Sequence, residues 1–478
     1  LESRADSGKI KKNQERGGSL TGISGNDILR FLDISENHGL RLVGVILFFA
    51  MLYGLSRLPK KEFSFAARVL IGTAAGTVFG LGVWLVDQSD VASAGMLQMT
   101  TSENLNIWFR LVVQGYLYLF VAVVVPMIFL ASVRLVIHTP AEKQISPLTR
   151  WKKRINTGMV AVSVLIAVCV GIAFQVGVVP GEEKELFRWR SDSGEGIVSM
   201  AYSLLPGGLG WDLIRANVVG FFVFGIYVGI AARRMSGKYM DTVKPVFDLV
   251  DGAFSVGTSV CKTIIAYKPM GAAAIMASLT ARYGYLVILL AMKVLLAICV
   301  AAALMFLVQL VLSLLGGVGP VAFFRAGKAA MKKALKTRSG AACLPEVQEA
   351  LAADLGLNRE ITDPVSAYTI ASGMQGCGAL FPAMAFVFAM GLCGKIITPE
   401  IVFLLVLVIT LMSYGITDLP GTATMAEFAA VLGTGMQDAV PGLGAMIALD
   451  PIADVPRTLI NVTGCMANAI FVERMVRK

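Results

Sequence analysis

Apolar runs of spanning length, at 40–57, 68–87, 106–137, 156–179, 212–232 and 284–316, constrain this chain more than any other feature. About 20 consecutive apolar residues cross the hydrocarbon core of a bilayer as a helix. Lipid offers unpaired backbone no hydrogen-bond partner, so only helices or closed barrels survive there. Barrel strands would alternate polar and apolar residues, whereas these runs are unbroken. The chain therefore reads as an all-α integral membrane protein. Composition agrees: 15% of the 478 residues are charged, against roughly 25% in soluble chains. Disordered, coiled-coil and ordinary soluble-enzyme classes are excluded.

A net charge of +10 on such a chain points to topology before nucleic acid, because Lys and Arg collect in cytoplasmic loops. Basic clusters lie at 57–68, 143–154, 233–238 and 325–338, and the intervening connections near 88–105, 180–200 and 281–284 lack them. The alternation predicts a first helix starting outside and a chain ending inside. Residues 1–39 read as a polar tail with a short interfacial helix at 28–34. The seven cysteines form no CxxC pair and there are two histidines, so neither a zinc site nor a disulfide framework is expected.

Beyond residue 320 the pattern changes. Segment 323–356 is a basic amphipathic stretch, a break at 337–342, then Leu344-Pro345 and a polar helix. Segment 401–437 has a long apolar arm, a break at 415–421, and a second arm containing Glu427. Both read as helical hairpins that stop inside the membrane, entering from opposite sides. Broken backbone at that depth must line a cavity or lie in protein, and two such segments of opposite sense are the sequence sign of an inverted-repeat transporter. Between them a helix at 364–392 is interrupted at 373–378.

The last helix, 442–473, carries Asp450, Asp454, Arg457, Thr458, Asn461 and Cys465. At ~100° per residue all six fall on one face roughly 100° wide. Ionisable groups inside a span mark a site by default. Arg presents a planar fork to a carboxylate, Asp holds an ammonium, and Thr and Asn orient the ligand. The plainer alternative is a structural pair between Asp454 and Arg457, three residues apart. Free amides at the two hairpin tips would add carboxylate donors. Asn461-Val462-Thr463 lies inside a span and is not a glycosylation site, and 316–319 lacks the Lys-Ser/Thr of a phosphate loop. No Ser/His/Asp set or HExxH is present, which argues against an enzyme.

These motifs resemble one family, the dicarboxylate/amino-acid:cation symporters that include the glutamate transporters. The resemblance rests on Thr337-Arg338-Ser339 with Leu344-Pro345, on Leu419-Pro420-Gly421, and on the Asp454–Gly464 run, which is similar to the family's DMGRTxxNVTG. Within it, the extra helix at 40–57, the Trp108-Phe109 to Val125-Pro126 stretch, Gly373-Met374-Gln375-Gly376-Cys377 and Ala423-Thr424 look most like the L-cystine uptake branch. The resemblance implies the glutamate-transporter-homologue elevator fold, with two re-entrant hairpins. A transport domain (284–478, with helix 156–179) would slide against a trimeric scaffold drawn mainly from 68–280.

Carried over residue by residue, Arg457 would bind a distal carboxylate and Asp454 an amino group. Thr458, Asn461 and Cys377 would complete the pocket with backbone from Ser339, Gly340 and Leu419. Gly415, Asp418, Pro420 and Gly421 would form the outer gate. Gly373, Gln375 and Cys465 stand where the glutamate branch has Asn, Asp and Asp. Sodium would then rely on carbonyls near Ala371, Ser413, Tyr414 and Ile416, with Gly373, Met374, Gln375 and Asn461 beside them. Asp418, Asp450 or Asp454 are the candidates for carrying a proton instead. The expectation is a homotrimeric symporter of the cytoplasmic membrane importing L-cystine or a related amino acid, driven by Na+ or H+, without a cofactor or nucleic-acid partner. A glutamate/aspartate or dicarboxylate symporter and an anion channel are the alternatives.

Overall fold

The structure is a computed structural model that describes residues 38–91, 101–139, 146–180, 185–189, 202, 205–415 and 419–477. The interfacial helix expected at 28–34 and the expected site residues Ile416 and Asp418 lie outside the described residues. The first half is a run of helices: α1 (His38–Ser56), α2 (Phe65–Val91), α3 (Thr101–His138), α4 (Pro147–Ala173), the short α5 (Leu209–Ile214), α6 (Val218–Ser236), α7 (Met240–Ala266), α8 (Lys268–Tyr283) and α9 (Leu286–Leu315). Among the described residues, eight helical segments are long and apolar enough to cross a membrane. Leu296, Leu304, Leu307 and Val311 of α9 are exposed, the arrangement a lipid-facing surface requires.

The sequence also has a less uniform membrane segment at 243–281; it is built as two helices, because the chain turns at Tyr267 and Pro269 opens α8, where a missing N–H costs nothing. One expectation is corrected. The helix expected at 156–179 starts earlier, at Pro147, and ends at Ala173. It stops there because Gln175 (φ 46°) and Gly177 (φ 83°) leave helical conformation. A Cβ on Gly177 would sit 2.1 Å from Phe388 O, so only glycine fits this approach.

In the second half, α10 (Pro320–Thr337) and α11 (Gly340–Glu349) pack on each other across a two-residue break. Arg338, at φ 53°, ends α10 in the left-handed conformation, and Ser339 Oγ accepts from Ala342 N at 3.3 Å to cap α11. Next come α12 (Arg359–Ala371), a π turn (Gly376–Leu380), α13 (Phe381–Leu392), α14 (Pro399–Met412) and α15 (Thr422–Gly433). The helices α14 and α15 also pack together; Gly421, at φ 67°, opens α15. A 3-10 turn (Gln437–Gly442) leads into α16 (Leu443–Arg477).

Packing divides the helices into two sets. In the first, α2 lies on α8, α3 on α6, α7 and α8, and α1 on α8 and α3. Gly72, Gly76 and Gly80 let α2 meet α8 almost backbone to backbone: a Cβ on Gly76 would lie 2.1 Å from Ala273 O. In the second set, α16 is packed by α4, α9, α10 and α12, and every residue of α13 is buried. The sets meet where α8 and α2 touch α16, and where Phe120 of α3 stacks on Phe428 of α15 with ring centroids 5.2 Å apart.

Candidate functional site

The polar face of α16 sits where the two sets and both hairpin-like pairs converge. Arg457, with 6% of its side chain exposed, ion-pairs with Asp450 through Nη1, and its Nη2 lies 2.9 Å from Asp454 Oδ1. Its Nε donates to the same Asp454 oxygen at 3.0 Å, and its guanidinium lies 4.5 Å from the centre of the Phe381 ring. Thr458 Oγ1 donates to Asp454 Oδ1 at 3.4 Å. Asp450 is not Arg457's alone: Lys268 of α8 pairs with it, and Lys268 Nζ also donates to Thr424 Oγ1 of α15 at 3.2 Å. Asp454 is the more open carboxylate, 24% exposed against 17% for Asp450.

Asn461, one turn further on, joins this face to the break after α12. Its Oδ1 accepts from the amides of Gly376 (2.7 Å) and Cys377 (3.3 Å). Its Nδ2 donates to Cys377 Sγ at 3.0 Å and reaches Met374 Sδ at 3.6 Å. Gly376 is obligatory here, since a Cβ would sit 2.1 Å from Arg457 O. The tip of the first pair also reaches α16: Arg338 Nη1 donates to Pro451 O at 3.2 Å, and a Cβ on Gly340 would lie 4.0 Å from Asn461 Cβ. At the second pair, Leu419 is buried and its carbonyl accepts from Thr422 Oγ1 at 2.9 Å. Gly415 faces Phe222, and Gly421 packs on Ile265 of α7.

Of the carbonyls expected to serve a cation, that of Ser413 already accepts a hydrogen bond, as do those of Ser372 and Gln375 beside it. Gly373 N donates to Ser413 O at 3.1 Å, Ser372 O accepts from Asn156, and Gln375 O accepts from Ser163 Oγ at 2.7 Å. Tyr414 hydrogen-bonds Thr157 through its hydroxyl, and Ala371 closes α12 next to the same break. Gln375 turns its amide away into a buried chain, accepting from Gln309 Nε2 at 2.7 Å and donating toward Asn468 Oδ1 at 3.4 Å. Thr463 Oγ1 donates to Gln309 Oε1 at 2.6 Å, and Asn468 Nδ2 reaches Asn156 Oδ1 at 3.3 Å. Cys465 leaves the charged face: its thiol is directed to Ser366 O of α12 at 3.2 Å. Among the described residues no group of three His, Cys, Asp or Glu is placed to hold a metal.

Sequence reasoning missed Lys268, Asn156, Gln309 and Asn468. Lys268 carried a usable signal, being an ionisable residue in a membrane segment. Gln309 is a polar residue inside an apolar run, and Asn468 lies two turns beyond Asn461.

Residues 65–475 match the sequence profile of the Sodium:dicarboxylate symporter family. The chain belongs to this family. It is a multi-pass membrane symporter and not an enzyme. Similar curated proteins carry the name L-cystine uptake protein TcyP. The one from Bacillus licheniformis is 22% identical over 450 residues, covering 91% of this chain and 95% of that protein. The one from Bacillus thuringiensis subsp. konkukian is 25% identical over 451 residues (91% and 93%). The one from Shouchella clausii is 24% identical over 457 residues (91% and 94%).

Proposed function

We propose that this symporter imports L-cystine, or a related amino acid, across the cytoplasmic membrane by an elevator motion. The observation that carries the reading is the convergence at α16: Arg457 sits between two carboxylates, Asn461 binds the break after α12, Arg338 at the break between α10 and α11 reaches Pro451 O, and the first turn of α15 meets Asp450 through Lys268. A guanidinium and a partly open carboxylate side by side match the two ends of an amino acid. In this reading Arg457 exchanges one carboxylate partner for the substrate's carboxylate. Asp454 takes its ammonium, and Thr458, Asn461, Cys377 and backbone of Ser339, Gly340 and Leu419 orient it. The pairs α10/α11 and α14/α15 are re-entrant hairpins, and 415–421 is the outer gate.

The two packing sets support the domain assignment. The set holding α2, α3, α6, α7 and α8 is the scaffold, α1 is the extra N-terminal helix, and the set around α16 with α4 is the moving body; three scaffolds form a homotrimer. The coupling cation is Na+ or H+. Sodium would use the carbonyls of Ala371, Gly373, Ser413 and Tyr414 with Met374 and Asn461. The family's name favours a dicarboxylate or acidic amino acid as the second reading of the substrate. A dicarboxylate without an amine would leave Asp454 with no substrate partner.

Purified protein in liposomes should take up labelled L-cystine, competed by excess cystine and not by aspartate; uptake of aspartate alone would establish the second reading. Arg457→Ala and Asp454→Asn should each lower uptake at least about tenfold, since truncating a buried charge pair costs roughly 2–5 kcal/mol. Full uptake in both variants would dismiss the pocket.

A further inference from the structure

The ion-pair network around α16 leaves one acid aside. Glu427 lies on α15, three residues after Thr424, and is fully buried. Neither of its carboxylate oxygens has a hydrogen-bond partner. The charges whose fields reach it are Asp450 and Arg457 on α16 and Lys268 on α8. Among the described residues, the ionisable groups on the other elements packed on α15 are as follows. No ionisable side chain occurs on α13, and the π turn brings only Cys377. Glu400 sits in the first turn of α14, and Arg233 and Arg234 in the last turn of α6, with Tyr227 exposed. Asp438 of the 3-10 turn pairs with Lys395 at the surface. On α3, which meets α15 at the Phe120–Phe428 stack, Tyr116 has a buried hydroxyl without a hydrogen-bond partner, and the cations Arg110 and Arg134 lie ten and fourteen residues along the helix from Phe120.

Charge counting gives this isolation a meaning. Lys268 and Arg457 balance Asp450 and Asp454, so the cluster is neutral only if Glu427 carries a proton. An unpaired buried ion costs several kcal/mol, and such a group neutralises itself instead. Asp450 and Asp454 already have cationic partners, which leaves Glu427 as the acid free to take up and give back a proton.

We propose that Glu427 is a proton-binding site of the transport cycle, and that the proton it carries crosses the membrane with α15. Its carboxylate takes one proton to become the neutral acid. Release follows from the position of Lys268, which reaches α15 from α8, outside the moving body. Thr424 and Glu427 are neighbours one turn apart on the same helix face. A slide of about one turn, ~5 Å, moves the Lys268 ammonium from Thr424 toward Glu427. The ammonium then stabilises the carboxylate, and the proton departs to the side then open.

This deepens the symporter reading above and rests on it. In liposomes, an inward gradient of one pH unit should support about tenfold extra accumulation of L-cystine per coupled proton. Glu427→Gln should abolish that response. A Glu427→Gln protein that follows the gradient like the wild type, or a wild type indifferent to it, overturns the proposal. Infrared difference spectroscopy of the full chain in nanodiscs tests the proton directly. The wild type should show the carbonyl band of a buried protonated acid, absent from Glu427→Gln and displaced in Glu427→Asp. Identical spectra overturn the proposal whether or not cystine is carried. If the wild type exchanges no labelled cystine at equal pH, the substrate reading fails, while the infrared band still decides Glu427.

Discussion

Lys268 and Asp450 show how much one buried charge depends on another. Lys268 is 4% exposed and comes from a helix that otherwise meets α16 through apolar and small side chains, so its ammonium is tolerable only because Asp450 and Thr424 receive it. Lys268→Met should destabilise the protein by roughly 3–5 kcal/mol less whatever Arg457 retains, because it removes one partner from a desolvated carboxylate. Adding Asp450→Asn should then cost less than it does alone. The measurement is a double-mutant cycle of thermal unfolding in detergent. Strictly additive effects would mean that the two groups do not sense each other. The shared polar face of α16 was legible because a helix fixes angular positions, and Arg457, Asp454 and Thr458 do meet on it, with Asn461 one turn on. Lys268 was not legible as Asp450's partner, since 182 residues separate them and no local spacing encodes the meeting.

At the scale of the helix, spanning length and Gly/Pro punctuation were readable, while helix ends set by tertiary contact were not. The end of α4 moved because Gly177 packs on Phe388 O, a contact invisible in a run of apolar residues. The junction at Tyr267 is hidden in the same way, Pro269 supplying a start that hydropathy averages away. The glycines of α2 separate these two kinds of information. Gly76 and Gly82 look alike in sequence, yet a Cβ on Gly76 meets Ala273 O at 2.1 Å and one on Gly82 meets nothing within 4 Å. Gly76→Ala should therefore cost about 1–3 kcal/mol through overpacking against backbone that cannot yield. Gly82→Ala should be neutral or stabilise by up to about 1 kcal/mol, because alanine is the better helix former. Melting temperatures of the two variants in one detergent compare them directly. Equal losses would mean that the approach of α2 to α8 does not hold the first set of helices together.

For the whole molecule, the question is whether the two packing sets move as bodies. Their common surface mixes strong and weak contacts, among them the Lys268–Asp450 pair, the Phe120–Phe428 stack, and a hydrogen bond from Thr73 Oγ1 of α2 to Ala448 O of α16 at 3.0 Å. Sliding by about one helical turn would break all three together, whereas a motion confined to α14 and α15 would leave Thr73 against Ala448. Cysteines placed at Thr73 and Ala448 distinguish the two. The exposed native thiols Cys169 and Cys299 must first be removed so that they do not compete for the reagent. Mercury bridging of the pair should then arrest the uptake proposed above, and thiol addition should restore it, with either single cysteine insensitive. If the bridged protein still transports at the unbridged rate, α2 and α16 stay together through the cycle. The moving part would then have to be the pair α14/α15 alone, with Lys268 and Asp450 paired on the static side of it.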